Sequence, residues 1–433
     1  MHRPSEDFSD KARLTAFLGS FCFFLSAVEY MLPKPLPFMR LGIANLPILI
    51  AIDILPFTWY LVLALVKVIG MSIISGTLFS YVALFSLVGT MTAALSMWGL
   101  RRAGGRHISQ IGVSIAGAMV SNATQILIAR YLVFKETAWL IAPLFLGMGL
   151  ATGAALGLFS ERFVRISRWY ALAAGLPPVS EEDLAEPKPG AVKSFFDRLS
   201  ERRVLKGNKG AAGKKAGREK AAAARAHRRE KAQELFSPGL MALAGVLVMA
   251  AFLSMKNLPA KALLLVLFAL AAAALGKRFS LFVTLSVTAG IVVANLLIPS
   301  GKILGTFLGL KITEGALIEG LQRAVTFEGL MYISKASIMP GLNLPGRLGS
   351  IVAAAFGYYE RVLEYKGKIR PSAVAMDADA LMMRVWESDS TLNPVNPLQK
   401  KDQQPSERLK KNTGLIMLTL ASASAWALLF FFR

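Results

Sequence analysis

Cysteine and histidine are nearly missing from this chain, which holds one cysteine, Cys22, and three histidines, His2, His107 and His227, in 433 residues. A lone cysteine excludes an intramolecular disulfide and a cysteine-based zinc site, and the histidines lie in hydrophilic stretches with no metal-ligand spacing. A phosphate-binding loop is missing too. The nearest run, GNKGAAGKKAG, has the wrong spacing, lacks Ser or Thr after the lysine, and lies in a charged stretch, so the chain is not expected to hydrolyse ATP. The paired Asp-rich motifs that would hold magnesium against a prenyl diphosphate do not occur, and the one acidic cluster, Glu181-Glu182-Asp183, is solitary. The expectation is a chain with no catalytic residues, no metal and no cofactor.

Acidic residues are also scarce, 27 against 49 lysines and arginines, for a net charge of +22. The basic excess gathers beside and between hydrophobic segments and is not interleaved with aromatic residues. That is the pattern of cytoplasmic loops beside membrane spans, not of a nucleic-acid partner. What the chain has in abundance is apolar sequence: 54% hydrophobic residues and a mean hydropathy of +0.50, far more than a soluble core needs. A helix crosses roughly 30 Å of hydrocarbon with about 20 apolar residues, and such stretches recur along most of the chain.

Two apolar blocks, about 14–159 and 238–432, flank a basic stretch at about 160–235. The first offers six candidate spans, at about 14–31, 41–55, 57–74, 76–99, 110–133 and 137–159. The second of these contains Pro47 and is bounded by Pro37 and Pro56, as in a broken or tilted helix. Glycines are dense in the last two, which favours close helix packing. The basic stretch reads as a solvated linker in contact with anionic headgroups. The second block offers spans at about 238–255, 259–276 and 279–299, a less apolar helix at 311–338 that should pack inside protein or lie at the interface, and a closing span at 414–432. The reading is an all-α polytopic membrane protein of about eleven transmembrane helices in two modules: 1–160, a linker at 161–236, and 237–433 with a cytoplasmic region at 339–410. The N-terminal segment MHRPSEDFSDKAR is of mixed charge, and the apolar run after it exceeds a signal-peptide core, so it reads as a retained first span. Multi-pass insertion in a bacterial cytoplasmic membrane, with the N-terminus in the cytoplasm, follows.

Ionisable groups within apolar spans are costly and need a partner or a purpose. Lys67, in the middle of YLVLALVKVIGMSII, is the sharpest case, with a structural salt bridge to Asp53 or Glu29 as the bland alternative. Asn45, Asn122 and Gln125 add neutral hydrogen-bonding groups suited to a pocket for a small polar or amphipathic ligand, or to interhelical hydrogen bonding. Asn122 and Gln125, three residues apart, share a helix face.

The stretches VEYMLPKPLPFMRLGIANL (28–46), GTLFSYVALFSLVGTMTAALSM (76–97) and QIGVSIAGAMVSNATQ (110–125) resemble the Gx transporter family, often labelled heptaprenyl diphosphate synthase component I. Its members look like substrate-binding S components of energy-coupling-factor importers. The resemblance marks Glu29, Arg40, Asn45, Asn122 and Gln125 as recurrent polar positions. LKITEGALIEGLQRA (310–324) and ISKASIMPGLNLPGRLG (333–349) are similar to the transmembrane T component of the same importers. There the sequence departs from the pattern: the Ala-Arg-Gly-like coupling motif does not occur after residue 300, and Arg384 in LMMRVWES is a loose substitute. These resemblances imply an importer component with ATP-binding subunits in trans, a small-molecule ligand, membrane lipid around it and no nucleic acid. Substrate contacts would fall to Glu29, Arg40, Asn45, Lys67, Asn122 and Gln125, and coupling to Arg384. The alternative is a non-catalytic membrane subunit of heptaprenyl diphosphate synthase, offering a groove for an isoprenoid tail while a partner supplies the Asp-rich motifs. A secondary transporter driven through Lys67 is a third.

Overall fold

The computed structural model describes residues 4–31, 42–178, 211–277, 279–307, 310–339, 341–342, 344–364, 374–388, 418–419 and 422–430. The chain is mostly α-helical. Its helices are α1 (Pro4–Met31), α2 (Leu46–Ala51), α3 (Phe57–Ser75), α4 (Tyr81–Gly104), α5 (Gln110–Ala129), α6 (Ala138–Ile166) and α7 (Arg168–Ala174). They continue with α8 (Ala211–Leu235), α9 (Pro238–Ser254), α10 (Leu258–Ala274), α11 (Leu281–Leu296), α12 (Glu314–Ser337), α13 (Gly346–Glu364) and α14 (Val374–Glu387). A small antiparallel hairpin, β1 (Ile303–Phe307) and β2 (Leu310–Thr313), precedes α12.

Helix boundaries follow local chemistry. Ser109, Ser167 and Asn257 occupy the N-cap positions of α5, α7 and α10, and their side-chain oxygens accept from Gly112 N, Tyr170 N and Ala260 N. Gly76 (φ +66°) ends α3 in the left-handed conformation that glycine adopts without steric cost.

The expectation of about eleven spans is overturned. Among the described residues, four helical segments are long and apolar enough to cross a membrane: 9–29, 57–75, 81–104 and 110–166. A fifth is reached if 223–235 and 238–254, bent by 91° at their junction, are taken as one span. The proline-bounded stretch at 41–55 forms only a single 3-10 turn and the six-residue α2, all six residues buried. Helices α9, α10 and α11 have 17, 17 and 16 residues. At 1.5 Å per residue they rise only about 25 Å, short of the roughly 30 Å of hydrocarbon. Helix α12 carries too much charge to face lipid, and its residues from Thr326 to Ser337 are mostly buried. The expected helix at 311–338 starts at Glu314, because Lys311 to Thr313 pair with β1. Of the closing span expected at 414–432, residues 418–419 and 422–430 are described and are helical, and the rest fall outside the described residues.

The segment 110–166 doubles back at a π turn and a 3-10 turn, Arg130–Phe134 and Lys135–Thr137. Helices α5 and α6 therefore pack antiparallel, and Gly149, Gly153 and Gly157 let α6 approach Asn122, Ile115 and Ile111 of α5.

Division into two modules is overturned as well. One core joins Phe17, Phe23, Tyr60 and Trp169 to Ile351, Tyr358, Met382 and Val385. A second joins Ile126, Val133 and Phe145 to Val287, Ile291 and Phe327. The stretch expected to be a linker begins inside this core: α6 runs on to Ile166, and Trp169 of α7 is fully buried. Outward-facing Leu140, Leu158, Leu243, Leu270, Phe282 and Leu285 are exposed, an apolar exterior suited to lipid.

Candidate functional site in a cavity shared by both halves

A cavity of about 1110 Å³ lies between α1, α3, α4 and α5 on one side and α11, α12 and α13 on the other. Its apolar wall includes Leu49, Met71, Met97, Val287, Phe327 and Phe356. Polar and charged groups interrupt that wall at separate places.

Lys67 is buried at 5% exposure and lines the cavity. It donates to Asn45 Oδ1, and to Thr90 Oγ1 at 3.0 Å. The turn before α2 thus presents Asn45 to the middle of α3, which gives the displaced backbone of 42–46 a specific task. The alternative of a Lys67–Asp53 salt bridge does not form. Asp53 instead pairs with Arg101 at 2.9 Å and accepts from Gln110 Nε2 at 3.5 Å, at the end of α4. Glu29 is buried and lines the cavity.

Asn122 and Gln125 line the cavity from α5, yet both are also engaged in packing. Asn122 Nδ2 donates to Phe145 O at 2.7 Å, and Gln125 Nε2 donates to Ser121 Oγ at 3.0 Å. Glu29, Asn45, Lys67, Asn122 and Gln125 are therefore brought to one cavity. Arg384 is not among them: it lies exposed on α14. Arg40 lies outside the described residues.

The second half supplies groups that sequence reasoning did not assign to a site. Glu328 is fully buried, lines the cavity, and neither carboxyl oxygen has a hydrogen bond within 3.5 Å among the described residues. Thr284 lies beside it, with its hydroxyl paired to Tyr332 Oη at 2.6 Å. Two turns along α12, the Lys335 ammonium sits 4.8 Å from the centroid of the Tyr332 ring. On α1, the buried Ser26 hydroxyl also has no hydrogen-bond partner among the described residues. Charges on α12 were visible in the sequence, but their common face with Lys67 was not. Thr90 and Ser26 carry no sequence signal at all, being hydroxyls on apolar helices.

Arg229 and Lys277 line the cavity where α8 crosses the end of α10. Burial and the neighbouring Arg229 guanidinium pull the Lys277 ammonium down to about 8.

These features define a helical, multi-pass membrane protein with an amphipathic internal cavity, and no cluster of His, Cys, Asp or Glu able to hold a metal among the described residues. Residues 18–163 match the family model described as heptaprenyl diphosphate synthase component I, and residues 238–339 match a domain of unknown function. No curated protein and no solved structure matches the chain.

The first match corrects the expected function. It is to a synthase component, and neither match is to an energy-coupling-factor importer, so the reading as an importer of the Gx or S-component kind is withdrawn. ATP-binding subunits in trans, and coupling through Arg384, go with it.

Proposed function

We propose that this chain is a non-catalytic membrane subunit of a prenyl-diphosphate synthase, and that its cavity holds the growing isoprenoid chain while a partner subunit performs the condensation. The observation that carries this reading is the cavity of about 1110 Å³, mostly apolar and lined by helices of both halves, in a chain whose residues 18–163 match component I. An isoprenoid gains by leaving water for such a wall, by about 25 cal/mol per Å² of apolar surface covered. Polar groups at Lys67, Asn45, Glu29, Asn122 and Gln125 interrupt that wall. The positive-inside pattern supports a reading in which the basic α8 and the N-terminus face the cytoplasm, where a soluble catalytic subunit would dock.

Affinity purification of the tagged chain in mild detergent, with mass spectrometry of proteins and lipids, tests the proposal. A prenyl synthase carrying Asp-rich motifs, together with isoprenoid lipid, is the expected result. Recovery of neither from native membranes, with unchanged long-chain prenyl products after deletion of the gene, would overturn it. Val82 lines the cavity. Val82→Trp narrows it and is expected to shift the product toward shorter chains.

A further inference from the structure

The edge of the cavity where α8, α10 and α12 meet carries positive charge that an apolar tail does not use. Arg229 donates through Nε to Gly276 O at 3.2 Å, and Lys277 donates from Nζ to Ile338 O at 2.6 Å. Lys335 lies over the Tyr332 ring without a hydrogen bond among the described residues. None of the three forms an ion pair within 4.0 Å among the described residues. Among the described residues, donors are therefore left unspent: both terminal nitrogens of Arg229 and two of three protons on Lys277.

Holding Arg229 beside Lys277 is unfavourable, since each disfavours the other's charge and Lys277 is partly buried. An anion between them would reverse that cost. The backbone fixes the arrangement: Gly276 has φ +72°, and a Cβ there would stand 2.4 Å from Arg225 O, so only glycine lets α8 lie this close to the end of α10. Ser280, Val283 and Thr284, in and around the first turn of α11, line the same wall and add the positive end of a helix to it. Of the acidic groups lining the cavity, Glu29 lies on α1, Glu328 sits two turns along α12 and balances Lys335, and Glu360 is exposed on α13.

We infer that Arg229 and Lys277 form a binding site for the phosphate or diphosphate end of an amphipathic ligand whose apolar part occupies the cavity. Only the identity of that apolar part rests on the isoprenoid reading. The anion chemistry is common to a prenyl diphosphate and to a phospholipid headgroup.

The test uses the full chain in dodecyl maltoside, which contains no phosphate, with binding followed by calorimetry and Lys277 followed by NMR of ¹³C-dimethylated lysines. Inorganic diphosphate is expected to bind and to move the Lys277 titration upward. Arg229→Gln and Lys277→Gln should each weaken it about tenfold, the loss of one charge-assisted contact, while Arg229→Lys retains most of the affinity. An unmoved Lys277 titration, with equal affinities for wild type and both Gln variants, would overturn the site even if farnesol still binds. Farnesyl diphosphate binding more tightly than inorganic diphosphate, in competition with farnesol, supports the site and the isoprenoid reading together. Displacement of diphosphate by phosphatidylglycerol but not by farnesyl diphosphate supports the site, assigns it to a lipid headgroup, and overturns the isoprenoid reading alone.

Discussion

Gly149 faces Asn122 across the α5–α6 hairpin so closely that a Cβ at position 149 would stand 2.4 Å from Asn122 Nδ2. The same amide donates to Phe145 O one turn earlier, so the glycine and the asparagine are parts of one contact. Gly149→Ala is expected to push the amide off that carbonyl and to cost about 1–3 kcal/mol, from overpacking and a lost buried hydrogen bond. Leu150→Ala, on the exposed side of the same turn, should change little. Thermal unfolding in nanodiscs compares the two. Equal melting temperatures would show that the hairpin tolerates wider spacing.

Asp379 of α14 accepts from Ser167 Oγ at 2.5 Å and from Trp169 N at 3.0 Å, tying a late helix to the start of α7. Trp169 in turn stacks on Phe17 of α1, ring centroids 5.2 Å apart. Asp379→Ala is expected to cost about 2 kcal/mol, because two hydrogen bonds to a buried carboxylate are lost. It should also shift tryptophan fluorescence to longer wavelength as water reaches Trp169. Should fluorescence and proteolysis change only in α13 and α14 while α1–α7 keep their stability, the shared core would not be cooperative.

Much of this was legible from residues alone, and the limits have physical causes. Apolar runs located α1, α3, α4, α5 and α6, and the dense glycines of the last two signalled close helix packing. Hydropathy, however, measures transfer to an apolar environment without saying whether lipid or protein provides it. Leu46–Ala51 is apolar because it is packed against protein, and α10 and α11 are apolar but too short to span, so counting runs inflated the number of spans. Tertiary pairing was invisible for the same reason. Lys67 stood out as a buried cation, but Asn45 and Thr90 as its acceptors depend on how α2 and α4 pack against α3. Arg229 and Lys277 looked like solvated loop charges. They reach the cavity only because Gly276 lets α8 cross the end of α10.

The Lys67 ammonium is expected to be worth more to its neighbours than any single acceptor. Lys67→Met leaves Asn45 and Thr90 without that donor and should cost about 1–3 kcal/mol. Thr90→Val alone should cost about 1 kcal/mol. The double variant is expected to fall short of the sum by about 0.5 kcal/mol or more, since the two residues share a contact. Additive losses in a double-mutant cycle, read by chemical unfolding, would show that the Lys67–Thr90 bond contributes nothing to stability.

Lys277 provides the pH dependence. Its ordinary value of 10.5 falls to about 8 in the folded chain, through burial first and Arg229 second. Folding thus disfavours the ammonium. Below about pH 8 the penalty is present in full, and it is relieved as pH rises from about 8 towards 10.5, so this group makes the fold more stable on the alkaline side. Dimethyl-lysine NMR of the full chain should place one amine titrating near pH 8, well apart from the exposed lysines, and Lys277→Gln should remove that signal. Arg229→Gln should move it upward without abolishing the shift, because burial is the larger cause. A Lys277 amine titrating with the bulk lysines would mean that water and counter-ions reach it freely, and that the stability of the chain gains nothing between pH 8 and 10.5 from this residue.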